Sequence, residues 1–263
     1  SHLLPCDSAI AVPTANIHPP APYTRATAQE AGWQWCIPLQ HRTGNGHVYS
    51  SRFMSDDKAK QVLLKNVEGQ LLAEPRVVKF KTGMRRKFWN KNCVAVGLSS
   101  GFIEPLESTS IHLIQASIKK LLEFFPDKHF NQGNIDSYNE LLQRSLLFIR
   151  DFIVLHYKVT NRKDSAFWNY CRTMQVPDSL EKRINLYRQE GKIYHDTNEL
   201  FSEDSWFAVM QGQGLVPESY HPLVDVLREQ QLGKFFAEIK SVVTNSVNAM
   251  PMHADYIAKY CSQ

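Results

Sequence analysis

The sequence lacks the features that mark membrane, secreted and metal-dependent proteins. It has no run of 18 apolar residues, and its first residues have neither the basic nor the apolar stretch of a signal peptide. Its five cysteines form no CxxC pair, which is typical of reduced thiols. No HExxH, HxH or Cys/His cluster has metal-ligand spacing. We therefore expect a cytoplasmic protein with no membrane span, no disulfide scaffold and no metal site.

Neither sign of charge dominates the sequence. Thirty Lys and Arg against 26 Asp and Glu give a formal net charge of +4, too small an excess to indicate a nucleic-acid partner. The 263 residues, 43% of them hydrophobic, suffice for one large domain or two small ones. A core of this size requires neither disulfides nor a structural metal.

Short apolar runs in the first hundred residues predict strands. They lie at 9–12, 33–39, 47–51, 77–80 and 93–96. Residues 42–46 (RTGNG) predict a hairpin turn, because Gly and Asn accept positive φ. This stretch is not a nucleotide-binding G-x-G-x-x-G loop, since Tyr49 takes the place of the third glycine. A first helix is predicted over 56–67, closed by Gly69.

Beyond Gly101 the apolar residues follow the helical period. One face of a helix that Pro126 ends would carry Ile111, Ile114, Ile118, Leu121, Leu122 and Phe125. A long amphipathic helix is predicted over 134–157 and should pack antiparallel on the first. Further helices are predicted over 178–189, 203–211, 221–247 and 251–260. The sequence thus predicts an α+β fold, sheet-rich over 1–106 and mainly helical over 107–263.

A pair of tryptophans is the first candidate for a functional site. Trp33 and Trp35 are two residues apart in a predicted strand, so both indoles project to the same face. Half-buried core aromatics are the ordinary interpretation of such a pair. A wall that shields a cofactor is the functional interpretation.

Two further candidates lie at the ends of predicted helices. Residues 97–109 join a strand to a helix and are rich in small residues, where the backbone can approach a ligand. There Ser108 or Thr109 can cap the helix, or the N–H groups of Thr109 and Ser110 can hold a small anion. Spacing does not choose between these. The polar stretch 156–164, with Phe167 and Trp168 after it, is typical of a solvated helix end.

Together these stretches resemble the flavin-dependent tryptophan halogenase family. Residues 32–38 (GWQWCIP) fit that family's GWxWxIP signature, and residues 102–109 (FIEPLEST) fit its F-[LI]-E-P-L-E-S-T segment. Residues 23–28, 89–93 and 156–168 support the match. The resemblance implies the β-sheet portion of a FAD-dependent monooxygenase-like fold, followed by a mainly helical C-terminal region.

Family members are about twice this length. Their N-terminal half supplies the dinucleotide-binding G-x-G-x-x-G loop and a lysine that delivers the halogenating species, and no residue here matches either. We therefore expect a C-terminal portion that alone neither holds FAD tightly nor halogenates a substrate.

The family's chemistry implies roles for individual residues. Reduced FAD, oxygen and chloride or bromide would give hypohalous acid, which halogenates an aromatic or indole substrate such as tryptophan. Glu107 would be the catalytic carboxylate that polarises the halogen donor or accepts the ring proton. Backbone N–H groups of Thr109 and Ser110 would bind the halide. Residues expected against the flavin are Gly101, Phe102, Ile103 and Pro105; those expected to separate flavin from substrate are Trp33, Trp35, Ile37 and Pro38.

The implied substrate and partners are less specific. Tryptophan-specific members have glycine where this chain has Ser110, and a tyrosine-rich region that residues 206–214 do not match. An indole or a larger aromatic compound is therefore expected as much as free tryptophan. A separate flavin reductase is the implied protein partner, and a homodimer is one assembly to test. A flavin hydroxylase portion, which two shielding indoles oppose, and a non-catalytic α+β interaction protein are the alternatives.

Overall fold

The computed structural model describes residues 2–197 and 199–261. Within these ranges the strands β1 to β9 are Ser8–Thr14, Arg25–Gln29, Gly32–Pro38, Thr43–Tyr49, Arg76–Lys79, Gly83–Met84, Trp89–Asn90, Cys93–Val94 and Gly101–Phe102. The helices α1 to α8 are Asp56–Asn66, Ser110–Glu123, Gln132–Lys158, Ala166–Thr173, Asp178–Glu190, Glu203–Gly212, Glu229–Ala249 and His253–Tyr260. The fold is α+β, as predicted.

An antiparallel five-stranded sheet with the order β2-β3-β4-β1-β5 forms the first part of the chain. Buried and half-buried residues alternate along β1, because successive side chains of a strand point to opposite faces. Its buried residues Ile10 and Val12 share one hydrophobic core with Leu63 of α1 and Phe152 of α3. The sheet and the helices therefore pack around a common core.

The expected hairpin turn at 42–46 is wrong by several residues. The turn lies at Leu39 to Arg42, where the Leu39 N–H donates to the Arg42 carbonyl at 2.9 Å, while Gly44 and Gly46 belong to β4. A Cβ atom added to Gly46 would lie 2.0 Å from the indole of Trp35 on the neighbouring strand. This glycine is therefore needed to make room for a large ring, and the sequence alone makes it look like a turn residue.

Most predicted helices are confirmed to within a few residues, and two features differ. The apolar runs in the sequence do not predict the strands β2, β6, β7 and β9 or the helix α4, all of which are short. The helix predicted over 221–247 is divided into a 3-10 turn, Pro222–Val226, and α7. Pro222 has no N–H to donate, so it stands at the start of a helical segment and not inside one.

The face of α2 that was expected to pack is largely exposed. Ile111 is 70% exposed and Leu122 is 69% exposed. Among the described residues, only one edge of the stripe meets α3: Leu121 packs there, beside the buried Ser117, whose carbonyl accepts from the Tyr138 hydroxyl at 3.4 Å. Helix α7 likewise has no buried residue among those described. An apolar stripe shows that a partner surface is needed, but the partner need not lie in the same chain.

Two segments determine where the candidate site lies. The end of α3 enters the core, with a continuous buried run at residues 151–155. The 3-10 turn Pro105–Glu107 joins β9 to α2 and lies beside that helix end. Across the described residues, no helix is both long enough and apolar enough to cross a membrane.

Candidate active site

Glu107 forms an ion pair with a residue that lies far from it in the sequence. Glu107 Oε1 lies 2.8 Å from Nε2 of His156, and Nδ1 of the same ring lies 2.8 Å from the Phe152 carbonyl. Both neighbours of the imidazole are hydrogen-bond acceptors. The two contacts hold the imidazole between the Phe152 carbonyl and the Glu107 carboxylate.

The chain turns sharply between Glu107 and α2. Ser108 adopts a left-handed conformation with φ 51°, which costs a non-glycine residue energy and is found mostly where the surroundings enforce it. Its N–H donates to the Pro105 carbonyl at 3.1 Å. Only Ser108 and Thr109 lie between Glu107 and the first residue of α2.

The start of α2 offers free donors. No side chain caps the helix, and among the described residues no acceptor takes the backbone N–H groups of Thr109 and Ser110. Thr109 is buried, and its hydroxyl oxygen lacks a hydrogen-bond partner there. Uncapped N–H groups at a helix N-terminus favour a small anion through the helix dipole.

Trp33 and Trp35 lie on β3 and face the same way, as predicted. Their ring centroids are 5.9 Å apart; Trp33 is buried in the core, and Trp35 is half-buried against it. Burial raises the pKa of the Glu104 carboxyl, and the nearby Trp33 indole lowers it in part. The pair is thus partly core packing, and Trp33 approaches the segment that carries Glu107.

The residues expected against the flavin line two cavities. A cavity of about 50 Å³ is bordered by Gly101, Phe102, Ile103 and Ser110. Phe102 and Ile103 also border a larger, mainly apolar cavity of about 320 Å³ beside Arg150, a volume in the range of small-molecule sites. Pro105 is exposed beside them. This surface fits one wall of a flavin site, because it offers apolar side chains, a glycine and free N–H groups.

Ile37 and Pro38 lie at the far end of the same strand. They pair with Gly44 and Thr43, and Pro38 borders a separate cavity of about 160 Å³. Ile37 lies four positions along the strand from Trp33, a distance of roughly 13 Å at the usual rise per residue. The structure therefore does not bring Ile37 and Pro38 to Glu107 among the described contacts.

The interpretation of residues 156–164 as a solvated helix end holds only in part, since Asn161, Lys163 and Asp164 are exposed. Tyr157, Phe167 and Trp168 are buried, and Tyr157 stacks on Trp168 with a centroid distance of 6.0 Å. The polar residues between them turn the chain from α3 into α4, whose Ser165 side chain caps the helix by accepting from the Trp168 N–H. Helix ends are solvated only when no later segment folds over them.

Glu104 and Tyr157 form a buried polar pair beside the site. No role was predicted for this pair from the sequence. Glu104 is completely buried, and one oxygen of its carboxyl accepts a hydrogen bond from the hydroxyl of Tyr157. Burial raises the pKa of Glu104 to about 7. The sequence shows that residues 102–109 contain a second carboxylate, Glu104. No local pattern, however, shows that this side chain is buried.

Comparison with known proteins agrees with these features. A protein-family profile described as tryptophan halogenase matches residues 1–229. Tryptophan 6-halogenase ThaL of Streptomyces albogriseolus is 33% identical over 280 residues, which cover 97% of this chain and 52% of that protein. The chain spans about half the length of the curated relatives it matches.

Two solved structures resemble the chain more closely. Xcc4156, a flavin-dependent halogenase from Xanthomonas campestris, is 47% identical and superposes with a TM-score of 0.95 over 99% of this chain and 52% of its own. BrvH, a flavin-dependent halogenase from Brevundimonas sp. BAL3, is 46% identical with a TM-score of 0.93, covering 97% and 52%. The chain belongs to the tryptophan halogenase family.

Proposed function

We propose that this chain is the C-terminal portion of a flavin-dependent halogenase and supplies its catalytic carboxylate and halide site. The observation that supports this is the position of Glu107, which contacts His156 and lies two residues before Thr109, whose N–H is the first of the two free N–H groups at the start of α2. An acid–base group and an anion site are thereby adjacent. Electrophilic halogenation needs both, since it consumes a halide and releases a ring proton.

Glu107 and His156 are proposed to handle the proton. The carboxylate accepts the proton that the aromatic ring loses, and His156 stabilises the charge of the carboxylate through the contact at 2.8 Å. The Phe152 carbonyl fixes the imidazole by accepting from Nδ1. Because Glu107 is about one-third exposed, a substrate can reach it.

The flavin wall and the halide site are proposed on the same segment. Gly101, Phe102, Ile103 and Pro105 would contact FAD, and the N–H groups of Thr109 and Ser110 would hold chloride or bromide. The chemistry supplied by bound reduced FAD is the oxidation of halide by oxygen to hypohalous acid. Trp33 and Trp35 would keep the substrate away from the flavin; the same role for Ile37 and Pro38 rests on the sequence motif alone.

The substrate is proposed to be an aromatic compound of the indole class. Relatives of about one-third identity are described as tryptophan halogenases, whereas Xcc4156 and BrvH are described only as flavin-dependent halogenases. Trp206 lies in the core, 5.1 Å from Phe152 and 4.6 Å from the Arg183 guanidinium. Trp206 therefore contributes to core packing, and residues 206–214 give no reason to prefer free tryptophan as the substrate. A separate flavin reductase, a cytoplasmic location and a homodimer belong to the same proposal.

A chimeric enzyme tests the proposed function. The N-terminal half of Xcc4156 would be joined to this chain, which superposes on the remainder with a TM-score of 0.95. With reduced FAD, oxygen and bromide, the chimera should brominate indole, detected by mass spectrometry. The matched control is the same chimera carrying Glu107→Gln.

The outcomes separate the competing functions. Bromination that is lost in Glu107→Gln supports the halogenase. Hydroxylated indole in place of brominated indole would support a flavin hydroxylase. A folded, FAD-binding chimera that forms neither product would contradict a catalytic role for this chain.

A further inference from the structure

Two consecutive residues of α3 bind two carboxyl groups of a single turn. Glu104 and Glu107 flank the 3-10 turn Pro105–Glu107. Tyr157 donates to Glu104, and its neighbour His156 pairs with Glu107. Because Glu104 directly precedes this turn, which ends at Glu107, a movement of Glu104 would displace the residue that contacts His156.

The second carboxyl oxygen of Glu104 and the indole N–H of Trp33 are both unpaired within the described part of the chain. Glu104 Oε2 has no hydrogen-bond partner among the described residues, and neither has Nε1 of Trp33. The indole N–H nevertheless lies close enough to lower the pKa of Glu104. A buried donor and a buried acceptor that are both unpaired and near each other favour a mutual hydrogen bond, because leaving either one unpaired is costly.

We infer that Glu104 is a positioning residue that sets the orientation of the Trp33 indole and the pairing of Glu107 with His156. Through one buried carboxyl it connects β3, the 3-10 turn and α3. The catalytic meaning of this inference rests on the proposed function. The inferred effects of Glu104 on Trp33 and on Glu107 do not depend on that function, because they concern contacts within this chain.

The surroundings of Glu104 define how it responds to pH. Burial raises its pKa to about 7, while the hydrogen bond from Tyr157, the nearby Trp33 indole and the charge of His156 lower it in part. The thiols of Cys6 and Cys171 also face this region; burial first and Glu104 second raise the pKa of each. Glu104 therefore changes its ionisation near neutral pH, and its ionised form accepts the stronger hydrogen bond from Trp33.

Indole resonances test the inference in this chain without any activity assay. The five tryptophans give five N–H resonances in ¹H–¹⁵N spectra, and Trp33→Phe identifies that of Trp33. We expect the Trp33 resonance to titrate with a midpoint near pH 7, set by the pKa of Glu104, and to stop titrating in Glu104→Gln. The Trp89 indole, which donates to the Lys91 carbonyl at 2.8 Å, is the internal reference and should stay constant.

Two variants serve as controls. Glu68→Gln removes an exposed carboxyl and should leave both the Trp33 titration and the ring resonances of His156 unchanged. Glu104→Gln should shift the His156 ring resonances at constant pH. If Glu104→Gln does not fold, Tyr157→Phe replaces it: loss of a hydrogen bond to the carboxylate should raise the midpoint by about one pH unit.

The inference is overturned if the Trp33 resonance titrates alike in the original chain and in Glu104→Gln, or if Tyr157→Phe leaves the midpoint unchanged. Unchanged His156 resonances in Glu104→Gln would contradict the inference that Glu104 sets the pairing of Glu107 with His156. An inactive chimera with a normal Trp33 titration would count against the proposed function and leave this inference standing.

Discussion

Glu107 Oε1 and His156 Nε2 lie 2.8 Å apart, although one residue belongs to a turn after a two-residue strand and the other to the last turn of the longest described helix. Their contact brings the FIEPLEST segment (residues 102–109) against the end of α3. This contact of a carboxylate with an imidazole is the structural basis of the first prediction.

Glu107→Gln should abolish halogenation in the chimera while the oxidation of reduced FAD continues. The amide keeps the size of the side chain but cannot accept the ring proton, and positioned acid–base groups contribute about 10²–10⁴-fold to rates. We therefore expect bromination to fall at least about 100-fold, with FAD reoxidation followed by absorbance. An equal loss of both activities would mean that Glu107 is structural, and Glu68→Gln is the control for a carboxyl outside the site.

Chloride should bind at the start of α2 and not at the start of α3. The Ser110 N–H has no acceptor among the described residues, whereas Gly133 donates to the Asn131 side chain that caps α3. In a chloride titration at constant ionic strength, the Ser110 amide resonance should move saturably and that of Gly133 should not. Equal shifts at both helix starts would indicate general salt effects and contradict a halide site.

Glu104 should make the chain less stable as the pH rises to neutrality. Burial raises the pKa of its carboxyl from 4.5 to about 7 in the folded state, so folding favours the protonated form. Its stabilising contribution is complete below about pH 4.5 and is lost as the pH rises to about 7, up to about 3 kcal/mol in all. Urea unfolding across this range should show a fall in the original chain that is absent in Glu104→Gln. Parallel pH profiles would contradict the raised pKa.

Gly46→Ala should destabilise the chain, and Gly44→Ala should not. A Cβ at Gly46 would lie 2.0 Å from the Trp35 ring, whereas the nearest atom to one at Gly44 is 3.8 Å away. Because both glycines lie in β4, the comparison isolates the clash. Overpacking of this kind costs about 1–3 kcal/mol, measurable by urea unfolding with Trp35 fluorescence as a second readout. Equal effects of the two substitutions would show that Trp35 moves freely.

The isolated chain should self-associate through the apolar side of α7. Phe235 is 54% exposed and Phe236 is 59% exposed, and large contiguous apolar surfaces promote association. Sedimentation should show oligomers at concentrations where Phe235→Ser/Phe236→Ser is largely monomeric. Ile17→Ser, at a residue 52% exposed elsewhere, should change little. A clean monomer of the original chain would instead favour a self-sufficient domain and a non-catalytic role.

The sequence by itself determined the local elements and the family. Apolar spacing predicted α3 and α5 almost to the residue, since a helix with its own caps and period needs little outside information. Alternation along β3 was enough to predict that Trp33 and Trp35 face the same way. The two motifs at 32–38 and 102–109 identified the family, because side-chain identity at fixed spacing is a property of the sequence.

Only the tertiary structure decided which faces are covered and which polar groups meet. Gly46 looks like a turn residue until the Trp35 ring lies against it. The apolar stripe of α2 looks buried, but among the described residues only its edge at Leu121 packs on α3, and Ile111 and Leu122 stay exposed. The contacts of Glu104 with Tyr157 and of Glu107 with His156 join residues about fifty positions apart. Local periodicity gives the face that a side chain occupies, but burial and pKa depend on what packs against that face, and packing is set by the whole chain.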